Sequence, residues 1–203
     1  IIAKALRSNV AQAPRSQLMF RRARLRLLLG RPEDALNDLE TVRTIMSDYF
    51  ESPSPSILEL LGDIYFARFE LASVGFADRS DTHRAQEYYN QIIERFPKYM
   101  NLGWIYYQLG RIWVTSDEME KAVKCFQQAL INASHVGFLT AYCYERLGFI
   151  SYYEYRDLDN ALAFLNRSID TYPAYSDKTW LIQVHILRSR VLRGMRDYES
   201  ALV

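Results

Sequence analysis

The sequence predicts an all-α fold of antiparallel helical hairpins, and three observations carry that prediction. A small residue opens a helical pattern at Ala35, Ala85, Ala122, Ala161 and Ala201, at separations of 50, 37, 39 and 40 residues. A large residue follows four positions later, at Leu39, Tyr89, Phe126 and Leu165, which puts both on one helix face. Ahead of these stands another apolar face, clearest in Tyr106, Leu109, Gly110 and Trp113, where glycine lets a second backbone approach. No apolar–polar alternation bounded by hairpin turns competes with this pattern.

The elements follow in order. Ile1 to about Val10 reads as the tail of a second helix from an earlier hairpin, with a break at Pro14. The first full hairpin covers about residues 16–49. Its first helix carries Met19, Ala23, Leu25, Leu27, Leu28 and Leu29, and Gly30 stops it. Pro32 suits the first turn of the next helix, where its missing N–H costs nothing, and Glu33 and Asp34 suit the helix dipole. The stretch Ser52-Pro53-Ser54-Pro55-Ser56 punctuates the chain and opens hairpin two, 55–100, which carries Leu58, Leu61, Gly62 and Tyr65, then Ala85, Tyr89 and Ile92. Tyr65 to Ala85 is 20 residues, whereas Trp113 to Ala122 is nine, so eleven residues are inserted between Phe66 and Arg84. Phe69, Leu71, Val74 and Phe76 make that insertion apolar enough to extend a helix over a neighbour; a partner-binding protrusion is the other reading. Hairpin three is 103–136, with its turn at Thr115-Ser116-Asp117, and hairpin four is 141–175, with Leu147, Gly148 and an Asp157 cap. Hairpin five, 177–203, shows a first helix to Met195 and the start of a second at Ala201. Hairpins one and five resemble each other most: Arg22-Ala23-Arg24 aligns with Arg188-Ser189-Arg190, and Glu33-Asp34-Ala35-Leu36 with Glu199-Ser200-Ala201-Leu202.

A large–Leu–Gly–aromatic helix followed by a small–aromatic–small helix resembles the tetratricopeptide repeat, here about five repeats of a longer period than the standard 34 residues. The resemblance spans about residues 16–203. It implies a right-handed α-solenoid whose first helices line a concave face, with 1–203 forming a single domain. The start at Ile1 and the stop at Val203 read as a segment of a longer protein.

The resemblance also assigns the partner-facing positions, on the first helix of each hairpin away from the Leu–Gly side. These are Gln17, Phe20, Arg24 and Leu27, then Ser56, Glu59, Asp63 and Phe66. Hairpin three adds Trp104, Tyr107, Arg111 and Val114, and hairpin four adds Tyr142, Glu145, Phe149, Tyr152 and Tyr153. Aromatics interleaved with Arg and Glu are enriched at binding hot spots. The competing reading packs these rings against neighbouring hairpins. The Lys and Asn of the family's carboxylate clamp are absent, since Phe20 and Arg24, or Glu59 and Asp63, stand in their places.

Composition narrows the function classes. The 203 residues are 49% hydrophobic and 24% charged, enough for a substantial core, and the net charge of +1 gives no global attraction to nucleic acid or anionic membrane. No run approaches the ~18 apolar residues of a membrane span. Cys125 and Cys143 lack metal-ligand spacing and read as buried reduced thiols, which favours the cytoplasm. Six arginines, Arg15, Arg21, Arg22, Arg24, Arg26 and Arg31, occur with no acid between them. Acids then dominate from Asp38 to Asp81. Complementary charge between adjacent hairpins is the reading preferred to a basic end that meets an acidic partner or RNA.

His83, His135 and His185 fall at unrelated positions, and no phosphate loop, nucleophile elbow or HExxH occurs, so neither catalysis nor a metal or cofactor is expected. The sequons at Asn132 and Asn166 read as chance. The expected function is therefore a non-catalytic scaffold or adaptor that holds a peptide or protein segment in its groove. A sensor or regulatory segment of a larger bacterial signalling or transcription-regulatory protein is the alternative.

Overall fold

The small residues of the repeat sit where two helix backbones come closest. In the computed structural model Ala35, Ala85, Ala122 and Ala161 are fully buried, as are the large residues Leu39, Tyr89, Phe126 and Leu165 that follow them. The structure describes residues 2–47, 53–72, 78–133, 137–173 and 178–201, with side chains for 15–45, 53–72, 78–133, 137–173 and 178–196. Among these residues there are nine helices and no strand.

The helices are α1 (Ile2–Leu28), α2 (Pro32–Ser47), α3 (Pro55–Leu71), α4 (Arg79–Arg95), α5 (Leu102–Thr115), α6 (Met119–Asn132), α7 (Gly137–Tyr153), α8 (Leu158–Thr171) and α9 (Lys178–Ala201). They form two compact units, Ile1–Tyr99 with α1 to α4 and Met100–Val203 with α5 to α9. Within the first, α1 pairs with α2 and α3 with α4; within the second, α5 pairs with α6, α7 with α8, and α9 packs on α8.

Three of the hairpin turns share one backbone device. Gly30, Asp117 and Arg156 each stand two residues before the second helix and each adopt a left-handed conformation, with φ of 69°, 61° and 54°. The residue after each of them returns its N–H to the ending helix, Arg31 to the Arg26 carbonyl at 2.8 Å, Glu118 to that of Trp113 at 3.0 Å and Asp157 to that of Ser151 at 2.9 Å. These bonds satisfy carbonyls left over at the helix end.

The Leu–Gly signature has a direct packing cause. A methyl built on Gly62 would lie 2.4 Å from the Tyr89 ring, on Gly110 2.6 Å from the Phe126 ring, and on Gly148 2.9 Å from Leu165. Each ring or Leu lies flat on the bare backbone of the partner helix, and full burial of each contributes ~1.5–3 kcal/mol. Ser168, fully buried on α8, adds a hydrogen bond of 2.7 Å from its hydroxyl to the Ala141 carbonyl on α7.

Two expectations change, and a third gains detail. Pro14 does not break the chain, because α1 runs unbroken from Ile2 to Leu28. A proline removes one intrahelical hydrogen bond without by itself ending a helix. Hairpin five has no second helix within the described residues, since α9 runs continuously past Met195 to Ala201. The breakers of hairpin one, Gly30 and Pro32, align with Arg196 and Tyr198, which permit the helix to continue. The insertion is shared out: α3 extends past Gly62 to Leu71 and α4 begins at Arg79, six residues before Ala85. Phe69 is half-buried and stacks on Phe66, with ring centroids 6.4 Å apart. Val74 and Phe76 lie outside the described residues, as do His135, Asp177 and the side chain of Ala201.

Three arginines of the run are answered inside the first hairpin, Arg31 by Asp34 and two others by Asp38. Arg22 and Arg26 on α1 both reach Asp38 on α2, at 2.6 Å each, and Asp38 is buried. Arg68 on α3 joins Glu33 on α2, at 3.0 Å, to Asp81 on α4, at 3.3 Å, and so ties hairpin one to hairpin two. Charge complementarity accordingly operates within a hairpin as well as between hairpins.

Candidate partner-binding site

In the second unit the first helices of successive hairpins touch, α5 to α7 and α7 to α9. Trp104, Tyr107, Gln108 and Arg111 share one face of α5, at the i, i+3, i+4, i+7 spacing. Tyr142, Glu145, Arg146 and Phe149 repeat that face on α7, with Trp104 and Tyr142 each six residues ahead of their glycines.

Rings make one continuous series across these helices. Trp104 tilts against Tyr107 with centroids 5.5 Å apart, and Tyr107 against Tyr142 at 6.1 Å. Tyr142 meets Trp180 of α9 edge-on at 4.8 Å, and Trp180 stacks on Tyr172 at 4.6 Å. A second ring group lies nearer the helix ends, where Phe149 and Tyr152 each contact Tyr153, at 4.6 and 4.7 Å. The Tyr153 hydroxyl accepts a hydrogen bond of 2.9 Å from Arg190 on α9.

Between the two ring groups runs a charged band. Arg111 caps the Tyr107 ring at 6.0 Å and donates to the Gln108 side chain at 2.9 Å. Arg146 Nε lies 2.9 Å from Glu145 Oε2, a charge contact without hydrogen-bond alignment. The Glu145 side chain is 12% exposed and that of Arg146 36%. Burial raises the Glu145 carboxyl above its ordinary range, and the nearby Arg146 and Arg111 oppose the rise. Burial likewise raises the Tyr107 hydroxyl, with Arg146 and Arg111 opposing.

The aromatic positions divide between packing and partial exposure. Tyr107 is 7% exposed and packs on Phe126, so it supports the face from beneath. Trp104, Arg111, Tyr142, Phe149 and Tyr152 are half-buried. Sequence reasoning passed over Gln108, Arg146, Tyr172 and Trp180. The first two stand one residue beyond positions it did select, a signal that was readable; Tyr172 and Trp180 reach the face through hairpin stacking, which no local pattern records.

The first unit differs. Phe20 is half-buried and, with Gln17, Arg21, Val42, Ser56 and Ile57, lines an open pocket of about 230 Å³. Arg24 is exposed on α1. Asp63 accepts a hydrogen bond of 2.7 Å from the buried Tyr89 hydroxyl, and Glu59 accepts one from the Tyr99 hydroxyl. Phe66, at the same register, belongs to the core at 1% exposed.

Among the described residues no three His, Cys, Asp or Glu side chains gather as a metal site would require, and no helix is long and apolar enough to cross a membrane. Cys143 is buried, which pushes its thiol up to about 12, and Cys125 is half-buried with its thiol also raised by burial.

Residues 58–99 and 99–130 match two profiles of the tetratricopeptide repeat. These segments hold α3–α4 and α5–α6, the hairpins in which Tyr89 and Phe126 lie on Gly62 and Gly110. No curated protein sequence gives a significant match. Among solved structures the chain is similar to BtubC (BKLC) from P. vanneervenii, at 17% identity and a TM-score of 0.67, over 96% of this chain and 85% of that one. It is also similar to TTC0263, a thermophilic tetratricopeptide-repeat protein of Thermus thermophilus, at 19% identity and a TM-score of 0.61, over 87% and 81% of the two chains. At such identities the likeness speaks to the fold. With the glycine–ring contacts inside its hairpins and both profile matches, the chain carries tetratricopeptide repeats over residues 58–130.

Proposed function

We propose that this protein is a non-catalytic adaptor that holds a peptide or protein segment against α5, α7 and α9 of its second unit. Tetratricopeptide repeats are generally protein–protein interaction modules, which supports the class of function. The observation that carries the finer reading is the ring series Trp104–Tyr107–Tyr142–Trp180 beside Arg111 and Arg146. Half-buried aromatics next to arginines offer large contact area at low entropy cost. Trp104, Arg111, Tyr142, Phe149 and Tyr152 serve as contact residues, while Tyr107 and Glu145 hold the floor. Phe20, Arg24, Glu59 and Asp63 serve as contact residues of the first unit, Phe20 through the pocket it lines. A cytoplasmic setting is proposed with it, in keeping with two cysteines present as thiols.

The test is an affinity pull-down from native extract, comparing the protein with a Trp104→Ala/Tyr152→Ala variant and with a Gln127→Ala control on the exposed side of α6. The first variant should lose the specifically retained proteins at unchanged helical content, and the control should keep them. Equal retention by all three proteins would remove this face from the function. Tyr107→Ala is unsuited to the purpose, because emptying a buried aromatic site costs ~3–5 kcal/mol and would confound binding with folding.

A further inference from the structure

The arginine run of the first hairpin is matched only in part. Arg22 and Arg26 pair with Asp38, and Arg31 with Asp34. Arg15, Arg21 and Arg24 are exposed, and among the described residues no ion pair or side-chain hydrogen bond engages them. The same stretch of α1 exposes four leucines, Leu18, Leu25, Leu28 and Leu29, at 67%, 60%, 83% and 72%. Successive helical residues turn by about 100°, so Leu18, Leu25 and Leu29 fall within about 40° of one another, opposite the buried Ser16 and Ala23. Arg21, Leu28 and Arg24 border that row on one side and Arg15 on the other. Its seven- and four-residue steps are those of a helix seam. Single exposed leucines need no explanation, whereas a cluster of this kind marks a contact surface.

We propose that this face of α1 docks an amphipathic helix of a partner protein, apolar along the row that meets Leu18, Leu25 and Leu29 and carrying Asp or Glu along both margins. The surface belongs to the first unit and stands apart from the α5, α7 and α9 reading above. Charge selects the occupant. No acid occurs in α1 from Ile2 to Leu28, so two copies meeting through this face would set arginine on arginine. The open face of α9, where Ile182 and Ile186 are exposed, carries His185, Arg190 and Arg193, with no acid from Lys178 to Arg196. A head-to-tail copy seated there meets the same repulsion. A bilayer calls for a broad apolar face, and this row is too narrow and too closely bordered by arginine. Nucleic acid would answer the arginines but leave the leucines in water. An acidic helix answers both, since its apolar ridge covers the leucines while its carboxylates reach Arg15, Arg21 and Arg24.

The probe is a phage-displayed library of single helices of about 20 residues, randomised on one face and panned against the whole protein. Binders lost with Leu25→Ser/Leu29→Ser should carry Leu or Ile at every third or fourth position, with Asp or Glu beside them. For such a binder the leucine variant should weaken affinity about tenfold or more, because each leucine buries apolar area. Arg21→Gln/Arg24→Gln should weaken it about three- to tenfold and flatten its salt dependence, as the loss of two exposed ion pairs would. All four positions are exposed, so thermal melts of both variants should match the native protein. Binders with basic margins, binders indifferent to both variants, or a library with no binder that depends on Leu25 and Leu29 would overturn the proposal. Co-sedimentation with phosphatidylserine vesicles that the leucine variant abolishes would overturn it in favour of a membrane. A native dimer that the leucine variant makes monomeric, read by light scattering, would overturn it in favour of a second copy.

Discussion

Replacing Gly110 by alanine would put a methyl into space that Phe126 already fills. The added carbon would lie 2.6 Å from Cε1 of a ring with no solvent exposure. Two effects oppose each other. Alanine in place of glycine stabilises a helix by ~1 kcal/mol, whereas forcing an extra carbon into a packed core costs ~1–3 kcal/mol. Phe126 is held by Tyr107 at 5.8 Å and is enclosed in its core cluster, so the cost falls toward the upper end and the net loss is ~1–2 kcal/mol. Gly194 in α9 is the internal control, since a methyl there would meet Leu158 at 3.7 Å, an ordinary contact, and the helix gain of ~1 kcal/mol should survive. Urea unfolding followed by far-ultraviolet circular dichroism reads both. The midpoints should move in opposite directions, and with a denaturant slope of ~1–3 kcal/mol/M they should separate by about 1 M or more. Gly62→Ala should follow Gly110→Ala, because the Tyr89 ring it strikes is anchored by its hydrogen bond to Asp63. A Gly110→Ala protein at least as stable as the native one would refute the packing argument.

Two further outcomes follow from the buried polar groups. Arg22, then Arg26, hold the Asp38 carboxyl below the usual carboxylate range. A carboxylate whose folded pKa is depressed lends stability that is present above its unfolded pKa of ~4 and is lost as pH falls through the folded value. Stability should therefore fall from about pH 5 downward, and Asp38→Asn should be less stable at neutral pH and flatter in that acid window; equal slopes in acid unfolding curves would count against the pairing. Cys143 should resist iodoacetamide at pH 8 in the native protein and react once urea unfolds it, because burial pushes its thiol up to about 12. Prompt native labelling at Cys143, read by peptide mass spectrometry, would contradict its burial.

The hairpin core was legible because it is local. Gly110 and Phe126 are on neighbouring helices joined by a three-residue turn, and their spacing carries the contact in the sequence itself. The same holds for Gly62 with Tyr89 across a longer connection, and for Gly148 with Leu165. The ring-bearing face of α5 and α7 was legible by halves. The i, i+3, i+7 positions Trp104, Tyr107 and Arg111 and their counterparts Tyr142, Glu145 and Phe149 lie on facing helices, but their exposure depends on how one hairpin lies on the next. That stacking buries Tyr107, encloses Glu145 and brings in Trp180 from α9. The helix ends were the least legible, because Pro14 and the run after Met195 are decided by whether a helix has reason to stop rather than by its apolar face.

Photo-crosslinking tests the central claim most directly, because it reports where the partner lies. A benzophenone amino acid placed at position 104, and in a separate protein at position 127 on the exposed face of α6, is irradiated with the partner recovered by pull-down. A covalent adduct from position 104 and none from position 127 is the predicted result. Adducts from position 127 with none from position 104 would place binding on another surface and contradict it.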